Sequence, residues 1–172
     1  EQTQSICRAN GAREVRRAET TQQRAELWKS RKRAFGAIGR ISPNYLTQDG
    51  VVPRSKLPDI MNYISEISKA CHLRICNVFH AGDGNIHPLI LFDERDPDQA
   101  QRAVQAGEDI LMRCLELGGS VSGEHGIGVE KIPLMNKQFT PEDLQAMKDL
   151  RHIFDPQEKC NPHKMFPSAR RC

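Results

Sequence analysis

Ile75-Cys-Asn-Val-Phe-His80-Ala-Gly-Asp83-Gly84-Asn85-Ile-His87-Pro88-Leu-Ile-Leu-Phe92 sets two apolar runs on either side of a short polar insert. Asp83-Gly84 within the insert is a strong short hairpin signal, because a type I′ turn needs positive φ at both central residues. A hairpin centred there pairs His80 directly with His87, on one face, with Cβ atoms about 5 Å apart. Two imidazoles so placed can share one metal ion at about 2.0–2.1 Å each. Zinc or manganese needs at least one more ligand, and Glu124 is the candidate, within Ser120-Val-Ser-Gly123-Glu124-His125-Gly126-Ile-Gly128. Spacing alone leaves a second reading open, in which the histidines cap strand ends or face solvent. Asp83 reads as a turn residue. Asn85 either hydrogen-bonds the turn or touches a ligand.

Outward from the hairpin, the pattern alternates helix and strand. Residues 1–10 read as a helix ending near Gly11, followed by a short exposed strand over 12–18 around Val15. Thr20 caps a predicted helix over 21–36, with Leu27, Trp28 and Phe35 as its buried stripe. Thr47 to Val52 reads as a strand ending at Pro53. Leu57, Ile60, Met61, Ile64 and Ile67 recur at helical spacing within 55–71. After the hairpin, Asp96-Pro97 opens a helix over 98–117, with Ala103, Val104, Ile110, Leu111, Cys114 and Leu115 facing inward, and Gly118-Gly119 stops it. A short helix over 128–136 is expected to be interrupted by Pro133. Thr140-Pro141-Glu142-Asp143 is a strong helix start, and that helix should run to about Ile153. Asp155-Pro156 ends it, and the tail through Pro167 reads as extended.

The pattern implies an α+β fold: an antiparallel sheet with helices on one face, a ferredoxin-like cap domain, plus a C-terminal helical segment. Pro88 inside the second hairpin strand implies an edge or a bulge.

With 172 residues, the chain can bury a sizeable core, and 38% hydrophobic with 27% charged residues describes an ordinary globular protein. A net charge of +3 argues against nucleic acid as a partner. The six cysteines form no Cys-x-x-Cys pair, which disfavours an iron–sulfur cluster in this chain and reads as reduced thiols in a cytoplasmic setting. Cys76 and Cys114 read as small core residues. No apolar run approaches the roughly 20 residues that cross a bilayer, so no transmembrane segment is expected in this chain. The chain starts at Glu1 within a helical pattern, which suggests a fragment preceded by another domain.

The His80–Pro88 and Gly118–Gly128 segments resemble the two signature segments of the FAD-linked oxidase C-terminal domain, in 2-hydroxy acid dehydrogenases of the vanillyl-alcohol oxidase type. The similarity is greatest to the glycolate-oxidising branch. It extends to Leu27-Trp-Lys-Ser-Arg31-Lys32, to Gly39-Arg-Ile-Ser-Pro43 with Asp49-Gly-Val-Val-Pro-Arg54, and to Phe154-Asp-Pro156 with Asn161-Pro162, so it covers essentially the whole chain.

The resemblance implies a divalent metal, zinc or manganese, on His80, His87 and Glu124, with His125 as catalytic base. It implies that Arg31 clamps the substrate carboxylate, although spacing alone makes Arg31 a solvated helix residue. It places Asn161 in a C-terminal segment, 141–172, that returns toward the flavin. FAD would be held mainly by an N-terminal domain outside this chain, which leaves residues 1–172 as the substrate- and metal-binding part. Relatives that oxidise 2-hydroxyglutarate carry an Asn where Leu89 stands, which favours a small 2-hydroxy acid, glycolate or D-lactate. Glycolate-type members usually have Gly where His163 stands, so the backbone there is expected to differ. The implied partners are a second flavin subunit and an iron–sulfur subunit.

The chemistry suits these residue types. Two neutral histidines and a carboxylate leave coordination positions open. His125 adjoins Glu124 in sequence and has an intrinsic pKa suited to proton transfer near neutrality. An arginine holds a carboxylate with a bidentate fork that Lys cannot imitate. Two other functions compete: a non-catalytic metal-binding or scaffold module, and a zinc hydrolase, which lacks a His-Glu-x-x-His motif here. His72, His152 and His163 read as structural, and Trp28 as core rather than substrate platform.

Overall fold

The computed structural model describes residues 1–167, and the chain divides into two compact units, Glu1–Ile41 and the part from Ser42 onward. In the first unit, α1 spans Gln2–Ala9, α2 Thr21–Lys32 and α3 Ala34–Ile38. Thr20 makes a capping box with Gln23 at the start of α2. The helix expected over 21–36 is broken at Arg33, and residues 12–18 form no strand. A lone Val15 among charged residues gives a strand nothing to bury and no ladder to join. Leu27, Trp28 and Phe35 are exposed rather than core, Trp28 by 58%. Helix α2 has no buried residue, so Leu27 and Trp28 have no packed surface to enter.

The second unit is built on four antiparallel strands: β1 Asn44–Thr47, β2 Gly50–Val51, β3 Ile75–His80 and β4 Asn85–Phe92. β4 is central. It pairs with β3 along one side and with β1 and then β2 along the other. Helix α4, Leu57–Ala70, connects β2 to β3, and α5, Pro97–Glu116, follows β4. Strand–helix–hairpin–helix in this spatial order is the ferredoxin-like arrangement. Its final strand is reduced to one bridge, Val51 to Ser120, with N–H···O bonds of 2.9 and 3.0 Å in the two directions.

Alternation along β4 separates two faces. Ile86 and Ile90 are fully buried in a cluster with Ile60 and Ile64 of α4 and Ala103, Ala106, Ile110 and Cys114 of α5. Each such isoleucine contributes roughly 1.5–3 kcal/mol by leaving water. Asn85 and His87 point to the opposite face. Val104, expected in the core, is 53% exposed on α5.

Two expectations for the hairpin need correction. The register pairs His80 with Asn85 and Val78 with His87, so His80 and His87 are diagonal rather than directly opposed. Gly84 has φ +75°, but Asp83 has no positive φ, so the I′ requirement at two positions fails and a four-residue loop, 81–84, closes the hairpin. A two-residue change in pairing preserves side-chain parity, and the two histidines keep the same face. Pro88 lies in the central strand, not on an edge. Leu91 N–H donates to Arg74 O on the β3 side, so the alternating residue 88 would donate toward β1 and β2. There the ladder opens instead of bulging: Gln48 N–H donates to Pro88 O at 3.0 Å, no bond returns, and β1 and β2 continue on either side in one register.

Helix α6, Ile132–Gln138, has Pro133 in its first turn, where the missing N–H costs nothing, so the proline starts this helix rather than interrupting it. Helix α7, Pro141–Phe154, opens with a Thr140–Asp143 capping box. The tail expected to be extended is turned: Glu158, Asn161, His163 and Met165 all have positive φ. The Asp155 carboxylate accepts from Lys159 N–H and Cys160 N–H at 2.9 and 2.8 Å, and Arg151 donates to the carbonyls of Asn161 and Lys164. Cys7, Cys71, Cys76, Cys114 and Cys160 are free thiols; Cys114 is buried and Cys76 half-buried. Among the described residues no helix is long and apolar enough to cross a membrane.

Candidate metal-binding and catalytic site

The polar face of β4 carries the site. His80 ends β3, His87 lies mid-strand in β4, and Glu124 comes from the loop after the Val51–Ser120 bridge. One ligand atom from each lies within 4.8 Å of the others. Glu124 Oε1 is 2.8 Å from His87 Nε2 and 3.7 Å from His80 Nε2. The two histidine rings are perpendicular, with centroids 5.6 Å apart. His87 is buried, whereas Glu124 and His80 are about half exposed, so the cluster opens outward.

A neighbouring carbonyl fixes which ring nitrogen of His87 faces Glu124. Its Nδ1 faces the carbonyl of Gln48 at 3.4 Å, an acceptor that favours a proton on Nδ1. That tautomer leaves an Nε2 lone pair directed at a carboxylate oxygen. A proton or a cation between the two atoms would satisfy both.

His125 stacks on His87, centroids 5.0 Å apart and planes 13° from parallel, with its ring exposed. It thus borders the same opening as the three ligand candidates. Asn85 is buried, and its Nδ2 donates to Asp49 Oδ1 at 3.1 Å, while its Oδ1 has no partner among the described residues. Gly123 packs against that amide: a Cβ at residue 123 would lie 2.2 Å from Asn85 Nδ2 and 2.8 Å from Val51 Cγ2. Only glycine lets the loop approach β4 this closely.

The sequence reading missed the organiser of this loop. Asp49 lies where the ladder opens at Pro88 and is wholly buried. Its Oδ2 accepts from Ser122 Oγ at 2.8 Å and from the N–H groups of Gly123, Glu124 and His125 at 2.9, 3.1 and 2.9 Å. Buried Lys131, the N-cap of α6, donates from Nζ to the Asp49 carbonyl at 2.9 Å and reaches Oδ2 at 3.4 Å. Burial works to raise the Asp49 pKa, but hydrogen bonds from His125, Ser122, Glu124 and Gly123 outweigh it and hold the carboxyl well below its ordinary value. For Lys131 burial prevails over the attraction of Asp49, and its pKa is lowered. An Asp inside the strand expected over Thr47 to Val52 was the available signal. Lys131 offered none.

The remaining candidates lie elsewhere. Arg31 is half-buried in the last turn of α2, in the first unit. Asn161 is exposed in the tail and borders an apolar hollow of about 660 Å³ lined by Met147, Leu150, Phe154 and Met165. His163, where the resemblance expects glycine, has φ +61°, so the backbone keeps the conformation glycine favours.

The fold and both loop segments agree with one family, and the chain belongs to it: the FAD linked oxidases, C-terminal domain, which matches residues 1–165. Among relatives, it is 46% identical over its full length to the glycolate oxidase subunit GlcD of Escherichia coli strain K12, and 36% identical over 99% of its length to the GlcD of Bacillus subtilis. It is 33% identical over 87% of its length to a mitochondrial D-lactate dehydrogenase [cytochrome] of Arabidopsis thaliana. These matches cover 34%, 36% and 27% of the relatives, so the chain spans about a third of their length.

Proposed function

We propose that this chain is the substrate-facing C-terminal part of an FAD-dependent 2-hydroxy acid dehydrogenase that oxidises glycolate or D-lactate to the 2-oxo acid. The observation that carries the reading is the convergence of His80, His87 and Glu124 beside the exposed ring of His125. Two imidazole nitrogens and a carboxylate are a donor set for zinc or manganese, and the unshared contact between His87 and Glu124 fits a cation held by both.

When bound, the cation supplies Lewis acidity toward the substrate hydroxyl, and the flavin supplies the hydride acceptor. The chain's own residues do the rest. His125, exposed at the mouth of the cluster, takes the hydroxyl proton on a ring nitrogen. Asn85, buried on the same face of β4 as His87, is assigned to the substrate side of the site. Leu89 offers no hydrogen bond for a second carboxylate, in keeping with a small substrate. Arg31 supplies the carboxylate clamp. Asn161 and the segment from residue 141 serve the flavin side: the exposed Asn161 amide beside an apolar hollow suits the polar edge of a flat ring. The FAD-binding domain belongs to the remainder of the longer polypeptide. The word "subunit" in the names of two relatives supports partner chains, and we assign these to a second flavin subunit and an iron–sulfur subunit.

The test is His125→Ala in the whole gene product. The variant should keep metal and FAD and lose flavin reduction by glycolate or D-lactate by 10²-fold or more, on the order expected for removing a general base. Flavin reduction at the wild-type rate would remove His125 as the base.

A further inference from the structure

Asp49 is wholly buried, and it bonds to the backbone of the residues that carry the chemistry rather than to their side chains. Its carboxylate accepts three consecutive N–H groups, 123 to 125, plus the Ser122 hydroxyl that precedes them. Successive amides converging on one anion fix the path of a loop whose own side chains are half exposed and bury little. The same carboxylate holds Asn85, and its backbone lies alongside His87 because Pro88 opens the ladder there. One side chain therefore connects the loop carrying Glu124 and His125 to the strand carrying His87.

We propose that Asp49 is a positioning residue that sets the Glu124 carboxylate and the His125 ring against His87, with Lys131 acting on them only through Asp49. This rests on the metal reading above. Lys131 has no hydrogen bond to Glu124 or His125 among the described residues; its ammonium bonds to Asp49 alone. Its part is to compensate a buried negative charge, which would be costly unpaired. Asp49→Asn keeps the shape but leaves one acceptor oxygen where two served six donor groups, and turns an NH₂ toward N–H groups.

A purely structural ion pair and a positioning carboxylate separate in the double variant D49N/K131M, which removes both buried charges. Replacing a buried pair by neutral groups is often close to neutral for stability. The whole gene product is compared as wild type, D49N and D49N/K131M, by thermal unfolding, by zinc titration, and by amide hydrogen exchange without metal. The single variant should lose stability through the unpaired Lys131, and the double variant should recover most of it. Both should bind zinc some 10–100-fold more weakly, the usual cost of losing a residue that orients ligands. In the double variant, the amides of Gly123, Glu124 and His125 should lose their protection while those of α5 keep theirs. A double variant that regains zinc affinity within threefold of wild type, with 123–125 still protected, overturns the proposal. Wild-type protein that takes up no zinc defeats the metal reading separately; exchange at 123–125, measured without metal, then decides for or against Asp49.

Discussion

The two faces of β4 are a residue apart and answer to different physics. Ile86 and Ile90 meet α4 and α5, and nothing about that face depends on the exact partner: any well-packed apolar surface would satisfy it. Asn85 and His87 meet a buried carboxylate, a backbone carbonyl and a loop from residues 122–125, and each contact is specific in direction and distance. The apolar face holds the fold together, and the polar face is paid for by it. The separation is possible because parity along the strand, not exact register, assigns each side chain to a face.

The comparison breaks most sharply at Glu124. Its side chain is half exposed and, among the described residues, its carboxylate is in ion-pair range of the two histidines alone, so Glu124→Ala should leave the unfolding temperature close to wild type. Bound metal should fall from one equivalent to near zero and turnover by 10³-fold or more in the whole gene product, on the order of losing the Lewis acid's contribution. Full turnover in a metal-free preparation would show that the polar face works without a cation. Ile90→Ala should do the reverse. A cavity behind a fully buried position costs about 2–5 kcal/mol, read by urea denaturation, while zinc affinity of the folded protein stays within a few-fold of wild type.

The smallest effect is in acid. The Asp49 carboxyl ionises more readily in the folded chain than in the unfolded one, so its contribution is complete above the ordinary carboxylate value near ~4 and is lost as the pH falls toward the lower folded value. Stability should therefore fall with pH below about 4, by up to ~1.4 kcal/mol per pH unit for this one proton. Ile90→Ala should shift the whole curve without changing that slope, and D49N/K131M should flatten it. Loss of Lys131 does not disturb the acid limb, because its lowered pKa affects stability only on the alkaline side.

How much was legible follows the same division. The apolar run through β4, the Thr140-Pro141 and Asp96-Pro97 helix starts and the Gly118 stop all depend on residues close in sequence, and the elements form there. The convergence of His80, His87 and Glu124 was legible too, even with the wrong hairpin register, because a shift of two residues keeps a side chain on its face. Asp49 was not. Its partners in the loop and at Lys131 lie 73 to 82 residues along the chain, and no periodicity announces a bond to backbone N–H groups. In the first unit the failure was of another kind: Leu27 and Trp28 are apolar, but α2 buries no residue, and apolar character alone put them in a core they do not enter.

The most direct measurement is anomalous diffraction, at the zinc and manganese edges, from crystals of the whole gene product. The account predicts one peak at about 2.0–2.2 Å from a nitrogen of His80, a nitrogen of His87 and a carboxylate oxygen of Glu124. A metal-loaded crystal with its peak elsewhere, or with none between these three side chains, would contradict it.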